Sequence, residues 1–326
     1  MKINFTIALF AVFIGVLCAQ HRVEYRQQLL LMGCSFEFTV IDEDTSLCRA
    51  ALDTAIAEVL GIESLVSSWK STSETSRINA HAGKGSIAIH PELYALIQRA
   101  QKVSKLSQDA FSLCFGSVYH LYNFNKTILE LPHRDTLAFY RTLTSSNNIV
   151  LEGNSTLALN KDCKIGFGAI AKGYAADRVK LKLQAMGIEH ACINASGDLT
   201  VWGNNKEGKA WSIGISDPKD PEKLLLQLSL ENTAIVTSGD YENYFLTPDG
   251  TRYSHIIDPR TCIPVRNRLS VSVISPSTEF SDALATAICV LGVEEGLALV
   301  NRLKDVEALI IDQNHEIYYS DHIDHH

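Results

Sequence analysis

Hydrophobic and polar residues alternate with two different periods along this chain, and together the periods predict a mixture of helices and strands. Apolar residues recur at helical spacing over roughly Leu47 to Leu65, and again from Pro91, a favourable first residue of a helix, to about Leu106. Short apolar runs, many joined by Asn, Gly or Asp, predict strands. These are Leu29 to Val40, Asn148 to Leu151, Thr156 to Leu159, Ala191 to Asn194, Leu199 to Trp202, Trp211 to Ile215, Leu224 to Leu230 and Ser270 to Ile274.

The predicted helices and strands are interleaved, and neither an internal repeat nor a long Pro, Gly or Ser linker divides them. This arrangement predicts an α+β fold with much antiparallel pairing. With 326 residues, of which 46% are hydrophobic, the chain is long enough for a large core in one big domain or two closely packed halves.

A segment near the C-terminus combines an apolar helical stripe with two oxygen-bearing side chains. In a helix that begins near Ser281, Asp282 and Thr286 are four residues apart and share one face. A carboxylate and a hydroxyl suit Mg²⁺, which in turn suits phosphates. The alternative is that Ser281 and Asp282 cap the helix while Thr286 bonds to its own backbone.

A second segment, from Gly166 to Tyr174, predicts a glycine-rich turn that opens a helix. Free N–H groups at a helix start favour a phosphate, small residues allow close approach, and Lys172 adds a positive charge. The spacing fits neither the P-loop nor the GxGxxG pattern. Tight packing of a helix on a sheet, with a solvated lysine, is the alternative explanation.

The segment from Tyr253 to Thr261 brings His255, Asp258 and Arg260 close together. As a strand it would place His255 and Asp258 on opposite faces. The histidine suits a base, the arginine an anion clamp and the aspartate an orienting role, whereas a satisfied turn at Asp258 is the alternative. Two polar turns, Asn194 to Asp198 and Thr237 to Tyr241, follow buried strands and are compatible with a functional loop or a simple hairpin.

The formal charge of −8 and the absence of a dense Lys/Arg block exclude a generic nucleic-acid binder. Residues 1–19 have the pattern of a secretory signal, which predicts an exported protein, periplasmic or associated with the outer side of the inner membrane. Whether this segment is cleaved, retained or lipidated is left open by the sequence. The cysteines include no CxxC pair, so neither a zinc site nor a disulfide framework is predicted, and most of them are expected to be small buried hydrophobes.

Taken together, five ordered motifs resemble the ApbE family of FAD:protein FMN transferases. They are Gly168 to Tyr174, Asn194 to Asp198, Thr237 to Tyr241, Ser254 to Thr261 and Ser281 to Thr286, and Met32-Gly33 and Ser73 to Asn79 also lie in the expected places. The resemblance implies an α+β, T-fold-like arrangement of largely antiparallel sheets and packed helices. It assigns residues 31–320 to the transferase domain, between a short lead at 20–30 and a His-rich tail at 321–326.

The resemblance also implies transfer of FMN from FAD to a threonine hydroxyl of an acceptor flavoprotein domain in a membrane redox complex, with release of AMP. Mg²⁺ would be held by the Ala169 carbonyl, Asp282 and Thr286, whereas His255, supported by Asp258 and Arg260, would assist the acceptor hydroxyl. The residues implied to bind FAD are Met32, Trp69, Ala110, Phe111, Ser112, Gly166, Lys172, His255 and Ile256.

The sequence departs from the family pattern at several positions. Gly166 stands where many members have an aspartate, Phe111 to Phe115 replaces an Asp-Pro-Thr stretch, and Cys262 replaces a glycine. Ser196 also replaces a glycine, a mild change if its φ is negative. Two alternatives therefore remain beside the transferase: a magnesium-dependent FAD pyrophosphatase, and a non-catalytic FAD-binding protein.

Overall fold

A computed structural model describes residues 22–124, 126–217, 220–239, 243–267 and 269–323. The predicted signal at residues 1–19 lies outside these ranges, as do residues 324–326 of the His-rich tail. Two residues of one predicted polar turn, Asp240 and Tyr241, lie outside them as well.

The helices follow the apolar periodicity of the sequence closely. They are α1 (Thr45–Val66), α2 (Glu74–His81), α3 (Pro91–Leu106), α4 (Arg134–Arg141), α5 (Ala171–Ala185), α6 (Thr278–Leu291) and α7 (Val293–Val300). Asp44 caps α1 by accepting the N–H groups of Ser46 and Leu47, and Pro91 occupies the first turn of α3. The predictions for these two helices are confirmed.

The strands form a large sheet and several small ones. In chain order they are β1 (Val23–Leu31), β2 (Cys34–Asp42), β3 (Ser86–Ala88), β4 (Ile149–Glu152), β5 (Thr156–Leu159), β6 (His190–Ala195), β7 (Asp198–Trp202), β8 (Trp211–Asp217), β9 (Asp220–Leu230), β10 (Ala234–Gly239), β11 (Tyr244–Leu246), β12 (Arg252–Ser254), β13 (Ile257–Asp258), β14 (Ile263–Pro264), β15 (Ser270–Ser275), β16 (Glu307–Ile311) and β17 (Ile317–Tyr319). The main sheet has the order β1-β2-β6-β7-β10-β15-β16-β17, and every neighbouring pair in it is antiparallel. The predicted α+β class with antiparallel pairing is confirmed.

One predicted strand, Leu29 to Val40, is wrong as a single element. The chain turns back at Met32 and Gly33, so that Leu31 pairs with Cys34 and the segment becomes the β1–β2 hairpin. Both turn residues have positive φ, 51° at Met32 and 79° at Gly33, as a two-residue hairpin loop with right-handed twist requires. Methionine is an unusual residue for that conformation, so the local pattern of residues did not predict a turn.

The two faces of the main sheet pack against different layers. Helices α1, α5 and α6 cover one face and enclose the larger core with it. The β8–β9 ribbon covers the other face, where Trp211 and Ile215 pack with Leu199 and Val201 of β7. Because side chains alternate along a strand, Asp198 and Thr200 of β7 lie on the helix side.

In the part of the chain that the structure describes, no helix is both long and apolar enough to cross a membrane. The seven cysteines of these residues are free, and five of them are buried. Their expected role as small buried hydrophobes is therefore confirmed for most of them.

Candidate active site

The glycine-rich segment forms the loop that leads into α5. Gly166 donates its N–H to the carbonyl oxygen of Leu113 at 2.9 Å, which ties the loop to the 3₁₀ helix Leu113–Ser117. At the start of α5, the carbonyl oxygen of Phe167 accepts the N–H groups of both Ile170 and Ala171. Fewer free N–H groups therefore remain to bind an anion at the start of α5 than the sequence predicted.

Gly173, in the first turn of α5, allows this helix to approach α6 closely. A Cβ atom there would lie 2.3 Å from the carbonyl oxygen of Thr278 and 2.8 Å from Cβ of Asp282. The N–H of Gly173 donates to Oδ2 of Asp282 at 3.1 Å. Helix α6 begins at Thr278 and is capped by Ser277, not near Ser281 as predicted, so Asp282 lies in its second turn. The capping alternative for Asp282 is therefore wrong.

Lys172, Asp198 and Asp282 form a buried group of charges that we call the carboxylate cluster. Nζ of Lys172 lies 2.9 Å from Oδ1 of Asp198. Asp198 is 1% exposed and Asp282 is 3% exposed. Within the described residues, Oδ2 of Asp198 has no hydrogen-bond partner. Two carboxyl groups are thus buried together with a single ammonium group.

Burial and mutual interaction shift the pKa values of the cluster. Loss of hydration raises the pKa of Asp282 well above its ordinary value, and the nearby carboxylate of Asp198 raises it further. Burial by itself lowers the pKa of Lys172, but the carboxylates of Asp198 and Asp282 outweigh this effect and raise it. Lys172 is therefore charged at neutral pH, whereas the ionised form of Asp282 is disfavoured unless another cation lies beside it.

The predicted magnesium ligands lie on the same two elements. Asp282 and Thr286 are one turn apart on α6, and Ala169 belongs to the loop before α5. Among the described residues there is no group of three or more His, Cys, Asp and Glu side chains that could hold a metal ion. A cation here would need carbonyl and hydroxyl oxygens in addition to carboxylates, a ligand set that suits Mg²⁺. The unpaired oxygen of Asp198 and the disfavoured charge of Asp282 both fit a hard divalent cation.

An aromatic patch lies beside Gly166. The ring of Trp69 is 80% exposed and meets Tyr119 edge-on, with 5.8 Å between the ring centroids. Phe115 contacts Tyr119 at 6.1 Å, and a Cβ atom on Gly166 would lie only 3.2 Å from the Phe115 ring. An exposed aromatic side chain beside such a cluster of rings suits a planar ring system. Trp69 and Gly166, two predicted FAD-binding residues, are thus brought to the same place.

Other predicted FAD-binding residues are less accessible. Ala110, Phe111 and Ser112 are only 1–2% exposed, and the hydroxyl of Ser112 donates to the carbonyl oxygen of Thr144 at 2.7 Å. Ile256 is also buried. The predicted role of these residues in binding FAD stays a prediction, because their side chains are buried.

The segment Ser254–Thr261, which we call the histidine turn, is not a continuous strand. His255 and Ile256 lie between β12 and β13. Nδ1 of His255 is 3.2 Å from the carbonyl oxygen of Asn243. Because a carbonyl oxygen only accepts, this contact places the hydrogen on Nδ1 and makes Nε2 the basic nitrogen.

Asp258 and Arg260 pair with each other inside this turn. Oδ1 of Asp258 accepts the backbone N–H of Arg260 at 2.9 Å and its Nε–H at 3.0 Å, and Oδ2 accepts from the guanidinium at 3.1 Å. The hydrogen bonds to Asp258 raise the pKa of Arg260. This satisfied turn is the alternative that the sequence left open, and the supporting role of both residues in catalysis stays a prediction.

The family model for the ApbE family matches residues 32–310, which is most of the chain. The chain belongs to the ApbE family. Among curated relatives, the FAD:protein FMN transferase of Vibrio cholerae is 29% identical over 301 residues, covering 91% of this chain and 90% of the relative. The protein of the same name from Klebsiella pneumoniae is 30% identical over 300 residues, covering 91% and 92%. The prediction that this chain is a transferase is confirmed by these relatives.

Solved ApbE structures have the same fold. The apo form of the Pseudomonas stutzeri flavinyl transferase ApbE has a TM-score of 0.82 at 26% identity, covering 92% of this chain and 95% of that one. The ApbE protein of Thermotoga maritima has a TM-score of 0.83 at 28% identity, with coverages of 92% and 97%. The recognised family and its fold are therefore confirmed.

Sequence reasoning missed three residues of this site. The sequence places Asp198 in a polar turn and in a family motif but predicts no ligand role for it, although an acidic residue at the start of a buried strand is a signal that it has a partner. No role is predicted for Phe115 and Tyr119, because their contacts with Gly166 and Trp69, respectively, span 50 or more positions and leave no local pattern in the sequence.

Proposed function

We propose that this chain is an FAD:protein FMN transferase that moves FMN from FAD to a threonine hydroxyl of an acceptor protein and releases AMP. The observation that carries the proposal is the carboxylate cluster at the start of α5, in a chain that matches the ApbE family over residues 32–310. A site that holds buried carboxylates and a lysine beside a loop whose accessible residues, Gly168 and Ala169, are small suits a pyrophosphate together with a cation.

In the proposed reaction, His255 acts on the acceptor hydroxyl, whereas Lys172 and the magnesium ligands act on the pyrophosphate. The acceptor hydroxyl oxygen bonds to the phosphorus of the FMN half, the bond from that phosphorus to the AMP oxygen breaks, and AMP leaves. His255, through Nε2, takes the hydroxyl proton. Lys172 faces the pyrophosphate as a fixed positive charge. Ala169, Asp282 and Thr286 would hold Mg²⁺, which when bound neutralises charge that builds up on the phosphate oxygens.

The aromatic patch supports the proposal that the substrate is a flavin nucleotide. Trp69 offers an exposed aromatic side chain close to the loop that leads into α5, since its neighbour Ser68 and the ring of Phe115 both lie against Gly166 of that loop. The acceptor would be a flavoprotein domain of a membrane redox complex, outside the cytoplasmic membrane. The signal-like pattern of residues 1–19 supports that location.

The direct test is to incubate the full chain with FAD, Mg²⁺ and a threonine-bearing acceptor domain. Intact mass of the acceptor, in-gel flavin fluorescence and nucleotide analysis are read together. Covalent FMN on the acceptor with one AMP released per FMN is the expected result. Free FMN and AMP would instead indicate a pyrophosphatase, and unchanged bound FAD a binding protein.

The metal assignment is tested by Asp282→Ala. Loss of metal-dependent transfer by at least about 10²-fold, with the circular dichroism spectrum unchanged, is expected because the substitution removes the only carboxylate among the proposed ligands. Unchanged transfer would show that the metal assignment is wrong.

A further inference from the structure

Asp198 has a free oxygen atom that its contact with Lys172 does not explain. The residue begins β7, next to β6 on one side and β10 on the other, near the middle of the main sheet. Oδ1 accepts from Nζ of Lys172 at 2.9 Å. Oδ2 is buried, no N–H or hydroxyl group of the described residues donates to it, and the carboxyl group of Asp282 lies within hydrogen-bonding range of Asp198. Buried polar atoms are almost always paired, so this oxygen requires a partner.

The position of Asp282 indicates where a partner of Oδ2 of Asp198 would lie. The Asp282 carboxyl faces the same space from α6, and Oδ2 of Asp282 already accepts the N–H of Gly173 at 3.1 Å. Two carboxylates that approach each other under burial repel unless a cation lies between them.

A simple ion pair with Lys172 does not account for this arrangement. One ammonium group neutralises one carboxylate, and the side chain of Lys172 is 29% exposed while that of Asp198 is 1% exposed. The lysine thus approaches from the open side and holds Oδ1, which fixes the rotation of the carboxyl group and orients Oδ2. When both carboxyl groups are ionised, one negative charge of the cluster has no counter-charge among Lys172, Asp198 and Asp282.

We propose that Asp198 is an additional ligand of the catalytic cation, binding it through Oδ2 together with Asp282, and that Lys172 positions Asp198 for this role. The inference rests on the proposed function, because the cation is the one proposed for FMN transfer. It adds a second carboxylate to a ligand set that otherwise contains only Asp282, a carbonyl and a hydroxyl. A second carboxylate strengthens binding of a hard divalent cation.

The experiment measures binding of Mn²⁺, a spectroscopic substitute for Mg²⁺, to the full chain without flavin. Free Mn²⁺ is counted by electron paramagnetic resonance in the wild type, Asp198→Asn, Asp282→Asn and Asp217→Asn. Asp217 is a matched control, since it is another buried aspartate on a strand and pairs with a basic side chain, His315, at 3.5 Å. We expect the dissociation constant to rise at least about 10-fold for Asp198→Asn and Asp282→Asn, and to stay within about 2-fold for Asp217→Asn.

The outcomes separate this inference from the proposed function. If Asp198→Asn binds Mn²⁺ like the wild type while Asp282→Asn does not, Asp198 is only a counter-ion of Lys172 and the inference is overturned, whereas the metal-dependent transferase stands. If the wild type binds no Mn²⁺, the proposed metal dependence fails and the inference fails with it.

A second measurement decides the question even if Asp198→Asn does not fold. Wild-type crystals grown with Mn²⁺ are examined for anomalous scattering. A peak bonded to both Asp198 and Asp282 is expected. A peak bonded to Asp282 and separated from Asp198 would overturn the inference.

Discussion

The carboxylate cluster and the histidine turn are both polar, but they differ in what folding leaves unsatisfied. In the cluster, two buried carboxyl groups face each other, one oxygen of Asp198 has no hydrogen-bond partner among the described residues, and the charge on Asp282 is disfavoured. In the turn, both oxygens of Asp258 accept hydrogen bonds from Arg260, and Nδ1 of His255 contacts a carbonyl oxygen. The cluster is thus arranged for a ligand, whereas most of the turn is arranged to hold its own shape.

The elements that carry the two regions explain this difference. The cluster is built on α5, β7 and α6, whose positions are fixed by the main core, and rigid elements can hold like charges together. The turn lies between strands of two or three residues, β12, β13 and β14, beside a smaller core that contains Tyr122, Phe245 and Tyr253. Short elements of this kind need local hydrogen bonds, because their packing alone does not fix them.

The largest expected effect comes from separating the two helices of the cluster. Gly173→Ala places a Cβ atom 2.3 Å from the Thr278 carbonyl oxygen, so α5 and α6 must move apart. We expect the free energy of unfolding to fall by about 3 kcal/mol, together with loss of FMN transfer. Urea unfolding measures the change.

The matched control for this substitution is Gly61→Ala. Gly61 is also inside a helix, α1, but a Cβ atom there meets nothing within 4 Å. The control should stabilise the protein by about 0.5–1 kcal/mol, because alanine loses less backbone freedom on folding. If the two variants behaved alike, close approach of α5 and α6 would not be what holds the cluster together.

Substitution of His255 in the histidine turn should lower the rate of transfer much more than the free energy of unfolding. For His255→Ala we expect the rate of transfer to the acceptor to fall roughly 10²-fold, since a positioned base is lost. The free energy of unfolding should change by less than about 1 kcal/mol. Single-turnover transfer and urea unfolding measure the two quantities.

Arg266→Ala is the control for this prediction. Arg266 is an exposed basic residue of the same region, with its guanidinium 5.7 Å from the ring centroid of Tyr253, and it has no proposed role in the reaction. Its rate of transfer should stay close to that of the wild type. A loss of rate in His255→Ala that is matched by Arg266→Ala would mean that disturbing this region, rather than losing the base, lowers transfer.

Because the carboxylate cluster buries like charges together, we predict that Asp282→Asn is inactive in transfer but more stable than the wild type. The pKa of Asp282 is raised in the folded state, so its contribution to stability is fully present below the ordinary aspartate pKa and is lost as the pH rises through the raised value. In Asp282→Asn this loss disappears, and the amide can donate to Oδ2 of Asp198. In metal-free buffer with a chelator at pH 7, we expect a gain on the order of 1 kcal/mol in the free energy of unfolding.

Asp177→Asn should change the free energy of unfolding in the opposite direction to Asp282→Asn. The carboxylate of Asp177 accepts hydrogen bonds from the Ser277 hydroxyl and from the N–H groups of Thr278 and Glu279. Its replacement should lower the free energy of unfolding by about 1–2 kcal/mol. Urea unfolding between pH 4 and pH 8 measures both variants, and a destabilised Asp282→Asn would contradict the view that the cluster is under strain without a cation.

The two regions also differ in how far the sequence predicted them. The periodicity of α6 placed Asp282 and Thr286 on one face, and the apolar runs gave β7 and β15 within a residue. The partnership of Asp198 with Lys172 and Asp282 depends on how α5 and α6 pack on the sheet, which no local pattern encodes. In the histidine turn, the path of the chain was difficult to predict. The segment has the pattern of one strand, but β12 ends at Ser254 and β13 begins only at Ile257.

Backbone conformation was the other feature that the sequence did not reveal. Ser196 was expected to tolerate its position if its φ were negative, but its φ is 54°. Cys262, which also stands in the place of a glycine, has a φ of 61°. Both positions therefore keep the left-handed conformation that a glycine would adopt easily, although the residue has changed.

Ser196→Gly should have the smallest effect on stability of these substitutions, and the environment of Ser196 determines the direction of that effect. Ser196 and Gly197 form the two-residue loop between β6 and β7, and Ser196 is exposed, so only backbone strain is relieved. We expect a gain of about 0.5 kcal/mol, the difference between the left-handed penalty of a non-glycine residue and the extra freedom of glycine in the unfolded chain. Cys262→Gly relieves a similar strain but removes a fully buried thiol that contacts Thr144, so it should be neutral or destabilising. Thermal unfolding of the pair separates backbone strain from packing, and a stabilised Cys262→Gly beside an unchanged Ser196→Gly would contradict this account.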